Sequence, residues 1–184
     1  YDDDCHSIPL ARQMQRIRER RATSKVYPGD LKCGQSFLHL DDLVDAIQCT
    51  VEKRGDLSPV QPLLIGEPQT VSYGTLQEEL GKLIHGEKWE TKSIPKTVAK
   101  TGAWVQDKLP IVDDPFIKPW MIDLADDHYD LDISKARQQL DWEPRHRLLD
   151  VLPTMVGRMQ AEPARWYEVN GLKLPDEEAA ALST

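Results

Sequence analysis

Ten glycines are scattered along the 184 residues, and none falls in a Gly-x-Gly-x-x-Gly or Gly-x-x-Gly-x-x-Gly cluster. The chain therefore encodes no backbone cradle for a dinucleotide pyrophosphate. No tyrosine is followed four residues later by lysine; those positions hold Cys5, Leu31, Gln77, Ile133 and Gly171. No Gly-x-Ser-x-Gly elbow exposes a serine nucleophile. The five histidines, His6, His39, His85, His128 and His146, never recur at i, i+4 as helical metal ligands. Cysteine is scarce. Cys5, Cys33 and Cys49 are odd in number and irregular in spacing, which is no disulfide framework and fits a reducing, cytoplasmic setting. No apolar run approaches the ~20 residues of a membrane span. A net charge of -8 argues against nucleic acid or an anionic membrane surface as partner. The chain opens on Tyr1 and three aspartates, with neither Met nor a signal peptide, and reads as a piece of a longer protein.

What is present is the balance of a globular protein: 40% hydrophobic and 29% charged residues. A chain of this length buries roughly 70% of its unfolded surface. Its organising stretch is Gly34 to Ile47, where a two-residue period through Phe37–Leu40 turns into a helical one. Asp41 is placed to cap the helix, and Asp42 puts negative charge in the first turn. Leu43, Val44, Ile47 and Val51 follow at helical spacing. Capping accounts for the two aspartates better than paired catalysis, since adjacent positions diverge on a helix. His39, between leucines, reads as a core histidine rather than a catalytic one.

On either side the pattern is mostly helical. Ser7–Arg21 reads as a helix with Leu10, Met14 and Ile17 inward. Its Arg12, Arg16, Arg18 and Arg20 form a solvated face or, alternatively, one that meets phosphate. Tyr27–Asp30 is a turn. Leu63–Gly66 is short, apolar and bounded by breakers, which predicts a buried strand without visible partners. A helix follows, capped by Thr75 or Ser72 and stopped at Gly86. Trp89–Ile94 suggests a strand, Pro95–Leu109 a helix, and 113–120 an irregular stretch. Helices are then expected after Asp132, over Leu148–Met159 and from Pro163 to Gly171, before a polar, frayed tail from Pro175. Asp2–His6 admits a metal-cluster reading around Cys5 and His6, although an acidic loop explains it more simply.

Three segments resemble one family. Gln35-Ser36-Phe37-Leu38-His39-Leu40-Asp41-Asp42-Leu43-Val44-x-Ala46 is similar to the "R-x-F-x-H-V-x-D" segment of extended short-chain dehydrogenases, the NAD-dependent epimerase/dehydratase family. Leu63-Leu64-Ile65-Gly66 resembles its "h-N-I-G" strand. Asp132-Ile133-Ser134-Lys135-Ala136-Arg137 with Leu140, Trp142 and Pro144 resembles "D-x-S-K-A-R-x-x-L-G-W-x-P". Tyr1 falls at the tyrosine of "R-x-x-x-V-Y-G-P". The likeness runs over roughly residues 1–160.

The resemblance implies an α/β fold. It would be the C-terminal half of an extended Rossmann-type short-chain dehydrogenase: a mostly helical substrate-binding lid with a few short strands. Residues 1–172 would form that substrate-binding region, with 41–66 lending a helix and an edge strand to the Rossmann sheet, and 173–184 a polar tail. The partners implied are a small-molecule substrate and the N-terminal cofactor domain of the same protein. NAD or NADP would bind to that domain, and the catalytic tyrosine and lysine would lie there too. The oxidoreductase or isomerase chemistry implied is hydride transfer at a carbinol carbon of a sugar nucleotide or related polar substrate. Gln35, His39 and His6 are the substrate-binding candidates of this segment. Gln35 stands where the family commonly has an arginine against the substrate diphosphate, and glutamine makes no charged bidentate clamp. The alternative is a non-catalytic binding or regulatory module that keeps the lid shape.

Overall fold

Leu10, Met14 and Ile17 recur at the helical period, and all three are sealed from water in the computed structural model, which describes residues 1–99 and 122–181. They lie on α1 (Ile8–Arg18), which starts with proline in its first turn, where a missing N–H costs nothing. The helix stops short of the predicted Arg21 because Arg20 turns into the left-handed region at φ 50°. Its basic residues are not one solvated face. Arg18 pairs with Glu178 at 2.7 Å, Arg20 pairs with Glu87 at 2.7 Å, and Arg12 and Arg16 are half-buried.

Two short ladders follow. β1 (Val26–Tyr27) runs parallel to β4 (Lys92–Ser93), within the predicted 89–94 strand, and β2 (Gly34–Gln35) is antiparallel to β3 (Val71–Ser72). Phe37–His39 is extended but belongs to no ladder. Its carbonyls instead serve single partners: Leu38 accepts from the Tyr1 amino group at 3.0 Å, and Phe37 from the Glu67 amide at 2.8 Å.

The helix α2 (Leu40–Glu52) begins one residue earlier than expected. Its cap is His39, whose ring nitrogen accepts from the Asp41 amide at 3.2 Å, and not Asp41 itself. The apolar stripe is also reversed. Asp42 and Ala46 face inward, while Leu40, Val44, Ile47 and Val51 are 48%, 55%, 55% and 55% exposed. No described element covers them. Leu63–Gly66 forms no strand, because no described strand lies beside it. It keeps the extended alternation even so, with Leu63 and Ile65 packed inward and Leu64 outward.

Helix α3 (Tyr73–His85) is capped by Ser72, whose Oγ accepts from the Thr75 amide at 3.1 Å, and ends at Gly86 with φ 70°. The predicted 95–109 helix is described only over its first turn, 96–99; its remainder and the 113–120 stretch lie outside the described residues. Asp132 accepts from the Ser134 amide at the head of α4 (Ser134–Leu140). Then come α5 (Leu148–Ala161) and α6 (Pro163–Val169). The tail is not frayed throughout: α7 (Asp176–Ala181) forms and is tied back by the Arg18–Glu178 pair. The main core joins α1, α3, α5 and α6, and a second core joins α2 to α4 around Ile133, Leu140 and Trp142. No helix among the described residues is long and apolar enough to cross a membrane.

The two strands of the β2–β3 ladder meet at a position that only glycine fits. A Cβ on Gly34 would sit 2.0 Å from the Val71 carbonyl oxygen, which is backbone and cannot swing aside. Gly34→Ala should therefore cost about 1–3 kcal/mol in urea unfolding. An unchanged midpoint would mean that β2 and β3 do not approach so closely.

Candidate functional site

Helix α1, the β2–β3 ladder and the head of α3 leave a cleft of about 400 Å³ between them. Each wall follows from local sequence. Pro9, Leu10, Gln13 and Arg16 share one face of α1 at helical spacing, β2 presents Gln35 beside its partner Val71, and Tyr73 opens α3. Phe37 and Leu76 add apolar surface, and Tyr129 and Asp127 close the rim.

Two rings give the cleft its shape. Tyr27 and Tyr73 stack with centroids 3.8 Å apart and planes 18° apart. The Tyr27 hydroxyl donates to the Ala125 carbonyl at 2.7 Å, which fixes the ring. Burial, reinforced by Tyr73, pushes the Tyr27 phenol up to about 12, and burial also raises Tyr73. Both phenols stay protonated at neutral pH, so they shape the cleft and do not act as bases there. Tyr129 donates to Asp127 at 2.8 Å. Arg16 lines the same space; its Nε is buried with no hydrogen-bond partner, and burial lowers the basicity of its guanidinium. The arrangement can hold a molecule with an apolar face and a polar or anionic group.

The three sequence candidates are not gathered together. Gln35 lines the cleft. His39 is 4% exposed and stacks on His146, with centroids 4.0 Å apart and planes 18° apart, edge-on to Tyr1. His6 lies outside the cleft, its Nδ1 2.7 Å from Asp2. Beside it Cys5 is buried, its thiol pushed up to about 12 by burial and turned toward the Ser7 carbonyl at 3.8 Å.

His39, Asp41 and His146 come close enough to suggest a cation site. The chemistry does not fit one. The His39 Nδ1 lone pair is spent on the Asp41 amide, which leaves the proton on Nε2. Stacked rings also direct their lone pairs side by side rather than at one point. His146 turns its Nδ1 toward Asp42 at 3.0 Å instead.

Four described helices have an N-terminal amide answered by an acceptor of the chain's own, His39 on α2, Ser72 on α3, Asp132 on α4 and Glu67 on α5, whereas no side chain caps α1 or α6.

Sequence patterns missed most of the cleft. Arg16 was visible only as one of four arginines, and the Tyr27–Tyr73 stack joins residues with no shared periodicity. Gln35 alone was singled out, through the likeness of its segment to the family motif.

The stacked histidines predict an acid sensitivity. Burial, then the neighbouring His146, lowers the His39 pKa below its ordinary value, against weaker opposing effects of Asp41 and Asp42. The folded state thus takes up a proton less readily than the unfolded chain, so stability is lost as pH falls from about 6.5. Glu67 has the opposite sign, since burial raises its pKa and stability declines as pH rises past its ordinary value. The comparison must therefore keep Glu67 in place. Between about pH 7.5 and 5.5, His39→Asn, which retains a capping acceptor, should lose ~2 °C less in Tm than the parent chain. Identical losses in the two proteins would remove His39 as the cause.

No family model matches the chain. A curated relative is UDP-glucuronic acid decarboxylase 1 of Arabidopsis thaliana, 32% identical over 143 residues, which is 77% of this chain and 25% of the relative. The chain spans about a quarter of the length of the relative it matches. At the level of the family, and no finer, this match supports the kinship with NAD-dependent epimerases and dehydratases read from the sequence motifs.

Proposed function

We propose that this chain is the substrate-binding part of an NAD(P)-dependent epimerase/dehydratase-like enzyme, with residues 1–172 as the substrate-binding region and 173–184 as its tail. The observation that carries this reading is the cleft beside Gln35, in a chain whose sequence holds no glycine-rich pyrophosphate cradle. A cleft of about 400 Å³ with apolar walls and a polar edge suits a small ligand. The reaction of the intact protein is then hydride exchange at a carbinol carbon of a sugar nucleotide or related polar molecule, with NAD or NADP bound elsewhere. This chain's own residues supply position. Gln35 hydrogen-bonds a polar substrate group, the tyrosine rings set the depth of the cleft, and Phe37 and Leu76 exclude water. His39 braces the segment behind Gln35 and does not react.

The exposed stripe on α2 supports the same reading. Leu40, Val44, Ile47 and Val51 lie on one side of a helix whose other side is pinned by Asp42. A packed α/β cofactor domain would cover such a stripe, and Leu64 beside it. The neutral side chain of Gln35 favours one alternative, a binding or regulatory module without catalysis.

Two measurements test the proposal. Titrating the chain with NAD(H) and NADP(H) should show no binding tighter than about millimolar. Micromolar affinity would place the cofactor in this segment and overturn the assignment. In the intact protein, Gln35→Ala should raise KM by roughly three- to tenfold with kcat nearly unchanged, as expected for loss of one hydrogen bond made equally in ground and transition states. An unaltered KM would take Gln35 out of the substrate site.

A further inference from the structure

We propose that Arg16 determines the specificity of the cleft, and that its ligand carries one anionic oxygen group, a carboxylate or a phosphate, on a body with an apolar or aromatic face. This rests on the reading of the cleft as the substrate site and adds the class of molecule it takes.

The first ground is an unanswered charge. Arg16 lines the cleft, its Nε is buried without a hydrogen-bond partner, and no acidic side chain among the described residues pairs with it. Other arginines of the same segment are answered: Arg18 by Glu178, Arg20 by Glu87 and Arg21 by Glu19. Asp127 shares the cleft, but its carboxylate accepts from the Tyr129 hydroxyl. A half-buried guanidinium without a counter-ion is costly to the fold. Nearby Arg12 and Arg21 add repulsion, and burial already draws its pKa below the usual arginine range. An incoming anion relieves all three penalties, and a guanidinium presents its donors as a planar fork that matches carboxylate or phosphate oxygens.

The second ground is the rest of the lining. Leu10, Phe37, Val71 and Leu76, with the stacked Tyr27 and Tyr73, make most of the wall apolar or aromatic. Gln35 offers hydrogen bonds without charge. One guanidinium among mostly apolar and aromatic walls, with Asp127 engaged by Tyr129 at the rim, suits one anionic group. A diphosphate would leave its second charge facing rings and an amide.

Isothermal titration of the chain tests this with four probes: 3-phenylpropionate, its neutral amide, phenyl phosphate and uridine diphosphate. At least one aryl anion should bind about tenfold or more tightly than the amide, the margin of a charge-assisted hydrogen bond. The stronger of the two identifies the anion. Arg16→Met should erase that margin, leave the affinity for the amide within about twofold, and raise Tm, because it removes an unpaired buried charge. Gln35→Arg, at an exposed strand position, gives a second variant. It should tighten uridine diphosphate binding about tenfold, because the second phosphate then meets a second guanidinium. Equal affinity for acid and amide, or a margin that survives Arg16→Met, overturns the proposal. Tighter binding of uridine diphosphate than of either aryl anion to the unaltered chain overturns the one-anion assignment and leaves the cleft as a substrate site. The KM effect of Gln35→Ala is independent of these outcomes, so the two readings fail separately.

Discussion

Two buried carboxylates hold the segment 142–148, and the rest of the structure depends on them. Asp42, on α2, accepts the amides of Arg145 and His146 at 3.1 and 3.0 Å and faces the His146 ring. The Asp42 carbonyl takes the Trp142 indole N–H at 3.1 Å. Glu67 accepts the Leu148 amide at 3.1 Å and the Tyr1 hydroxyl at 2.9 Å. Together they fix where α5 begins, and α5 is the helix on which α3 and α6 pack. A carboxylate out of water is tolerated only when its oxygens are satisfied, and here backbone amides do most of that work. Removing either acid would leave orphan amides behind as well as an empty space.

The same carboxylates show why the sequence was legible in parts. Helices were readable where apolar spacing and a terminator agree, as in α1 with Leu10, Met14 and Ile17, and in α3 with Ser72 and Gly86. These signals lie within a few residues of each other. Asp42 looked like a dipole-stabilising charge because its partners at 145 and 146 are about a hundred residues away. Glu67 gave no signal at all for the same reason. The strand expected at Leu63 had the right residues, but a strand is a relation between two segments, and its second segment is not among those described.

The cleft was legible to the same degree. Gln35 was found through motif likeness, since it sits in a short stretch with its own order of residues. Arg16 belonged to an arginine-rich face on which sequence spacing alone cannot separate the paired from the unpaired. Tyr27 and Tyr73 meet only because β1 and the head of α3 converge. His39 was rightly read as a core residue, yet its role at the helix cap displaced Asp41 from the part that side-chain preference assigned to it.

Helix α2 is bare on one side and pinned on the other. A rigid rod held in that way transmits displacement rather than absorbing it. A load placed on Val44 and Ile47 reaches Asp42 within one turn, then the amides of 145 and 146, then the first residue of α5. Through His39 it also reaches the extended stretch that carries Phe37 and Gln35. The uncovered face and the cleft are thus joined by one continuous run of packed and hydrogen-bonded residues.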